Sequence, residues 1–294
     1  IIEAGLPPGV VNLVPAGREV GAYLVEHPGI DKVTFTGSSA AGRMIARRCG
    51  ELLRPVTLEL GGKSAAIVLD DADLAGATEA LFGATMANNG QTCNIGTRVL
   101  APRARYDEVL EVFSGLANAL VVGDSLDPAT QLGPVASARQ RERVEGYIEK
   151  GRAEGGRIVA GGGRPPEQER GWFVQPTIFA DVDNSDTIAR EEIFGPVLAV
   201  IPYDGVDQAV AIANDSEFGL GGSVWSRDPE RAQDVARRVQ TGTIGINHYM
   251  LDPAAPFGGV KASGIGRELG PEGMQAYLQM QSIYEPAPQP ADAP

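Results

Sequence analysis

A chain of 294 residues with 43% hydrophobic content is long enough for about two domains and a sizeable core. Its formal charge of −13, from 38 acidic against 25 basic residues, opposes attraction to phosphate backbones or anionic lipid, so no nucleic acid and no membrane partner is expected. No apolar run approaches the ~20 residues of a membrane helix, the start lacks signal-peptide features, and two cysteines, Cys49 and Cys93, suggest no disulfide framework. A cytoplasmic location with free thiols is the expectation.

The chain opens without Met, inside what reads as a helix ending at Gly5, and further chain upstream is expected. Apolar runs then alternate with helical patterns: a strand over Val10 to Val14, a helix through Tyr23 and Leu24, a strand over Lys32 to Thr36, and a helix over Ser39 to Cys49. Strands at Val56 to Leu60 and Ala65 to Leu69, a helix from Asp73 to about Ala87 and a strand at Arg98 to Ala101 continue this βαβ rhythm, which predicts a parallel sheet covered by helices. A second α/β stretch carries helices at Tyr106 to Leu120, Ala138 to Lys150, Val206 to Asn214 and Asp228 to Gln240. Its strands lie near Phe173 to Phe179, Val197 to Pro202, Gly222 to Trp225 and Thr243 to Asn247. Gly161-Gly162-Gly163 reads as a surface hairpin, because Pro165-Pro166 bars the helix a phosphate loop needs. The proline-rich end, Glu285 to Pro294, reads as a disordered tail.

Three places could carry chemistry. Cys93 lies in Asn88-Asn89-Gly90-Gln91-Thr92-Cys93-Asn94-Ile95-Gly96, where bracketing glycines permit a tight turn that exposes a sulfur and aims main-chain N–H groups at one point. On residue type alone it could equally be a small buried hydrophobe, and Cys49, with no such turn, keeps that reading. Glu59 is an acid at the carboxyl end of an apolar strand, where sheets of this class bind ligands and where partial desolvation raises a carboxyl pKa toward general-base use. An outward-facing residue sharing a strand face with Thr57, or an ion pair with Lys63, explains it as well. Phe35-Thr36-Gly37-Ser38-Ser39 runs from a strand into a helix capped by Ser38 or Ser39, a start that attracts phosphate, although capping alone explains the serines. Gly264-Ile265-Gly266-Arg267-Glu268-Leu269-Gly270 follows no predicted strand and opens no clear helix, which makes it a poor dinucleotide loop.

The motifs LELGGKS at Leu58 to Ser64, GQTC at Gly90 to Cys93, EEIFGP at Glu191 to Pro196 and PFGGVKASGIGRE at Pro256 to Glu268, in this order, resemble the aldehyde dehydrogenase superfamily from about Glu3 to Ile283. The resemblance implies an α/β fold: a partial Rossmann-like dinucleotide-binding domain over residues 1–61, an α/β catalytic domain of the aldehyde dehydrogenase type over 62–262, and a return segment with an oligomerisation strand over 263–284. It implies NAD- or NADP-dependent oxidation of an aldehyde to a carboxylic acid, with Cys93 as nucleophile, Glu59 as the base that activates water, and Glu268 as a second carboxylate in proton relay; an ion pair with Arg267 is the competing reading of Glu268. Gly37 and Ser38 would meet the cofactor pyrophosphate, and Gly17, Gly21 and Phe35 the adenosine half, with Thr36 and Leu60 in the same set. Glu192 and Phe194 would meet the nicotinamide ribose, with Gln140 a further contact. Asn247, Tyr249 and Phe257 would lie by the substrate mouth, where apolar walls favour a hydrophobic aldehyde, although core packing explains them equally well. No metal is implied. A homo-dimer or homo-tetramer is, with Tyr277 to Tyr284 resembling the strand that pairs across subunits.

The family's upstream segment supplies a second oxyanion donor and groups that grip the adenosine ribose, and nothing here replaces them. Weak cofactor binding, poor turnover and an exposed strand edge are therefore expected of the chain alone. Release of the thioester to coenzyme A or phosphate, thiol-dependent ester hydrolysis, and a non-catalytic structural or assembly role are the competing functions.

Overall fold

A computed structural model describes residues 3–286; the expected tail lies outside it from residue 287 onward. In chain order the elements are α1 (Arg18–Glu26), β1 (Val33–Thr36), α2 (Ser39–Glu51), β2 (Val56–Glu59), β3 (Ala65–Val68), α3 (Thr78–Thr85), β4 (Arg98–Pro102), α4 (Tyr106–Ala119), α5 (Ala138–Ala153), β5 (Arg157–Ala160) and β6 (Thr177–Ala180). There follow α6 (Thr187–Arg190), β7 (Val197–Tyr203), α7 (Val206–Asn214), β8 (Gly222–Trp225), α8 (Pro229–Arg238), β9 (Gly245–Ile246), β10 (Gly264–Ile265) and α9 (Gly270–Gln275). The α/β rhythm read from the sequence is present.

Two sheets form. The larger has the order β5-β6-β7-β4-β3-β8-β9 and is parallel except at its β5 edge, where β5 and β6 pair antiparallel across the Gly161–Gly163 connection. Alternation sends its side chains to opposite faces. Ile67, Leu69, Ala199, Ile201 and Val224 pack with Val144 and Ile148 of α5, Ala209 of α7 and Val235 of α8. Val68, Val99, Ala101, Val200 and Trp225 pack on the other face with Leu81 of α3 and Val109 and Phe113 of α4. The smaller sheet has the order β1-β2-β10: β1 and β2 run parallel from Val33 opposite Val56 to Thr36 opposite Glu59, and β10 returns antiparallel with Gly264 opposite Glu59. The outer edge of β1 has no strand partner among the described residues.

Several expectations are corrected. Glu3 to Gly5 form a turn rather than a helix end, and Val10 to Val14 pair with no strand among the described residues. The helix expected from Asp73 starts at Thr78, because the Asp73 carboxylate accepts from the Gly76 N–H and holds a turn instead. The strand expected from Phe173 starts at Thr177, directly after Pro176, and the one expected over Thr243 to Asn247 shrinks to Gly245–Ile246. Gly264 to Gly270 form β10 and lead into the short helix α9, so this stretch does open a helix. No helix among the described residues is long and apolar enough to cross a membrane.

Candidate active site

β2 delivers Glu59 to the seam between the two sheets. Glu59 is 2% exposed, and neither carboxylate oxygen has a hydrogen-bond partner among the described residues, which removes the outward-facing reading. Burial, then the charge of Glu268, pushes its carboxyl up to about 8. Arg267 and then the Gly259 amide pull the other way. Lys63 does not pair with it. The Lys63 ammonium is buried without a partner and is pushed down to about 7 by burial and then by Arg98.

Cys93 follows a turn in which Asn88, Asn89 and Gly90 all adopt left-handed backbone, with φ of 54°, 58° and 70°. Asparagine tolerates that region because its amide bonds locally, and here Asn88 donates to the Gln91 carbonyl and Asn89 to the Pro134 carbonyl, both at 3.1 Å. The thiol is half-buried. Its pKa is pushed up to about 11 by burial, then by the charges of Glu192 and Glu59, while the Cys93 and Asn94 amides pull it down.

The loop after β2 joins these groups. A Cβ at Gly62 would stand 2.1 Å from the Cys93 carbonyl oxygen, so only glycine lets the two backbones approach. The Gly62 N–H donates to Glu192 Oε1 at 2.9 Å, and the Glu192 carboxyl is itself raised by burial. The Gly37 N–H donates to the Glu59 carbonyl at 3.0 Å, bringing the start of α2 to the same seam, and Ser38 caps that helix by accepting from the Ala41 N–H. The Gly61–Gly62 loop thus packs against the Cys93 backbone and the Glu192 carboxylate, and the Cys93 thiol feels the charges of both Glu192 and Glu59.

Compared with known proteins, residues 1–283 match the model of the aldehyde dehydrogenase family. The chain belongs to that family. The geranial dehydrogenase of Castellaniella defragrans is 62% identical over 96% of this chain and 59% of its own length. A Mycobacterium tuberculosis aldehyde dehydrogenase solved with NAD+ superposes with a TM-score of 0.95 at 55% identity, covering 98% of this chain and 60% of that one. A Pseudomonas syringae aldehyde dehydrogenase solved with NAD+ and octanal gives 0.90 at 46% identity, covering 94% and 57%. The chain thus spans about three-fifths of the length of the relatives it matches.

The other expected residues of this aldehyde dehydrogenase chain divide into those at the seam and those turned from it. Glu268 is at the seam: its backbone pairs with Phe257 in both directions, at 2.8 and 2.7 Å, and its charge is felt by Glu59. It forms no ion pair with Arg267, whose guanidinium donates to the Gly259 and Gly266 carbonyls. Phe35, Thr36, Gly37 and Ser38 lie at the end of β1 and the start of α2, whereas Gly17 and Gly21 lie on the exposed first turns of α1. The Leu60 side chain is buried under α2 against Gly42. Phe194 is 37% exposed with φ of 61°, and the Gln140 amide donates to the Ile193 and Phe194 carbonyls. Asn247 is turned away, its amide bonded at both ends to the Ser226 backbone, where it ties β9 to β8. Tyr249 and Phe257 line a cavity of about 400 Å³ with Ile246, Met250, Leu251 and Pro256, and the Tyr249 hydroxyl bonds Thr243 Oγ1 at 2.6 Å. The sequence reading missed Arg143 and Tyr147, which face the Glu191–Phe194 loop; their signal was a polar stripe at helical spacing.

Proposed function

We propose that the protein carrying this chain oxidises an aldehyde to a carboxylic acid with NAD+ or NADP+, through a covalent intermediate on Cys93 resolved by Glu59. The observation that carries this reading is the coupling of the Cys93 thiol to both Glu192 and Glu59, with the Gly61–Gly62 backbone packed between Cys93 and Glu192. The residues suit the cofactor: the open N-terminus of α2 matches a pyrophosphate and the Glu192 carboxylate matches ribose hydroxyls. Relatives solved with NAD+ support it. The domain divisions at residues 61 and 262 follow the same reading, since β1, β2 and β10 share the smaller sheet.

The cofactor accepts the hydride that leaves the substrate carbon. Burial and then the charge of Glu192 raise the Cys93 pKa, so positive charge brought to Glu192 by a bound oxidised cofactor would favour the thiolate. Once the thiol has lost its proton to solvent, the Cys93 sulfur bonds to the carbonyl carbon and the displaced π pair collects on oxygen, where the Cys93 N–H can hold it. When that pair re-forms the carbonyl, hydride departs and a thioester remains. Glu59 then takes a proton from water, hydroxide adds to the thioester, the C–S bond breaks, and the acid leaves as the sulfur regains a proton. Ile246, Met250, Leu251 and Pro256, in a cavity that His248 and Asp252 also line, favour an aldehyde with an apolar body, as does the kinship to a geranial dehydrogenase. Assembly through Tyr277 to Tyr284 belongs to the same proposal, supported by Met280, Ile283 and Tyr284 standing 102, 80 and 92% exposed; so does a reducing compartment for its free thiols.

The test supplies the complete protein with an aliphatic aldehyde and either cofactor and follows reduced nicotinamide by absorbance. Cys93→Ala loses ~10³-fold or more of the rate. Glu59→Gln keeps a single-turnover burst while steady turnover falls ~10²-fold or more. An unchanged steady rate in Glu59→Gln under deacylation-limited conditions overturns the base assignment.

A further inference from the structure

Phe194 holds φ of 61° in the loop after α6, a conformation an aromatic residue keeps only when its surroundings over-determine it. The determinants lie on one face of α5. Gln140 Nε2 donates to the Ile193 and Phe194 carbonyls at 3.2 and 2.7 Å. One turn on, Arg143 donates to the Glu192 carbonyl at 2.5 Å and the Ile193 carbonyl at 3.3 Å. A further turn on, the Tyr147 hydroxyl donates to Glu191 Oε2 at 2.5 Å, and its ring lies 5.0 Å beneath the Arg143 guanidinium. Three consecutive carbonyls and the adjoining carboxylate are thus gripped from a single helical stripe. Val144 of the same stripe fills the space beside Gly195, where a Cβ would meet its Cγ2 at 2.4 Å.

The segment leading into α5 holds the nucleophile turn as well. Asn89 donates to the Pro134 carbonyl at 3.1 Å, and the Ala136 N–H donates to Gln91 Oε1 at 3.0 Å. One stretch of chain therefore sets both the turn that carries Cys93 and the loop that carries Glu192.

We propose that Gln140, Arg143 and Tyr147 form a clamp that fixes the Glu191–Phe194 loop against the Cys93 turn, acting as positioning residues. Gln140, expected as a cofactor contact, acts here through the loop backbone. The inference rests on the reading of Glu192 and Phe194 as the cofactor-side residues of the site. The guanidinium bonds are charge-assisted and made to consecutive carbonyls, so losing Arg143 frees the loop while leaving the core of α5 in place.

The experiment compares wild type, Arg143→Met and Tyr147→Phe in the complete protein by two readouts. Amide hydrogen exchange without cofactor is expected to quicken at residues 191–196 in both variants and to stay unchanged in β4 and β7. Steady-state kinetics are expected to show the KM for the oxidised cofactor rising ~10-fold in Arg143→Met, the scale of one charge-assisted hydrogen bond, with a smaller rise in Tyr147→Phe and kcat less affected than KM. Exchange at 191–196 and cofactor KM both within twofold of wild type in Arg143→Met would overturn the clamp. If the wild-type protein binds neither cofactor, the functional reading fails, and the exchange measurement alone still decides the clamp.

Discussion

The two sheets are built from the same alternation of strand and helix, yet they are covered differently. In the seven-stranded sheet both faces are packed: β3, β4, β6, β7 and β8 are buried at nearly every position, with α3 and α4 on one side and α5, α7 and α8 on the other. In the three-stranded sheet β1 alternates between buried and exposed, and α1 buries no residue at all. Around it Val10, Leu13, Tyr23 and Leu53 stand 59, 89, 61 and 92% exposed. Sequence pattern makes an element possible; the apolar area removed from water by a second layer makes it stable. The groups proposed as catalytic come from both sides of this divide: β2 of the smaller sheet carries Glu59, and Cys93 lies in the turn after α3, which packs on the larger one.

The largest expected effect tests that contrast directly. Phe113 of α4 is fully buried on the large sheet, and Phe113→Ala should cost ~3–5 kcal/mol through the lost burial and the cavity left behind. Leu13→Ser changes an 89% exposed residue and should stay within about 0.5 kcal/mol. Urea unfolding of this chain measures both. Equal losses would mean that the region around the small sheet is packed after all.

An effect of comparable size, but one tied to pH, sits at the seam. An unfolded glutamate titrates near 4.5, while burial raises folded Glu59 to about 8. Below 4.5 both states are protonated. Between the two values the unfolded chain releases a proton that the folded chain retains, so stability falls as pH rises, by at most ~1.4 kcal/mol per unit, and levels off above about 8. Glu59→Gln should remove this slope, which unfolding midpoints across the range would show; parallel profiles for the two proteins would place the carboxyl in water. The same shift makes the base form accumulate as pH rises toward 8, so turnover limited by deacylation should climb over that interval.

What could be read from the sequence was what is local. An apolar run closing in Glu59-Leu60-Gly61-Gly62 announces a strand end followed by a close backbone approach, and Gly90 announces the turn before Cys93. Arg98 was not legible. It is 2% exposed and donates to the Lys63, Ile212 and Ala213 carbonyls and to Asn184, partners that only the finished sheet brings together. The proposed α5 clamp was hidden likewise: α5 showed only a polar stripe, and its acceptors, three backbone carbonyls and the Glu191 carboxylate, lie about fifty residues on. Val10 to Val14 form no strand among the described residues of a chain that spans about three-fifths of its relatives' length.

The smallest effect concerns how the return segment is fastened to the thinner sheet. The Tyr277 hydroxyl lies 2.7 Å from Thr34 Oγ1 on β1, and Lys32 stands 5.0 Å over the Tyr277 ring while donating to Thr57 Oγ1 on β2 at 2.8 Å. These contacts are at or near the surface, where water competes for each of them. Tyr277→Phe removes the hydroxyl and keeps the ring, so it should cost ~0.5–1 kcal/mol and quicken amide exchange in β1 alone. Tyr277→Ala removes the cation–ring contact as well and should extend the quickening to β2 through Lys32. Exchange in β1 unmoved by either change would show that residues 270–278 lean on the small sheet without securing it. Its hold on Glu59 would then come from the Gly264 ladder and the Gly37 hydrogen bond to the Glu59 carbonyl.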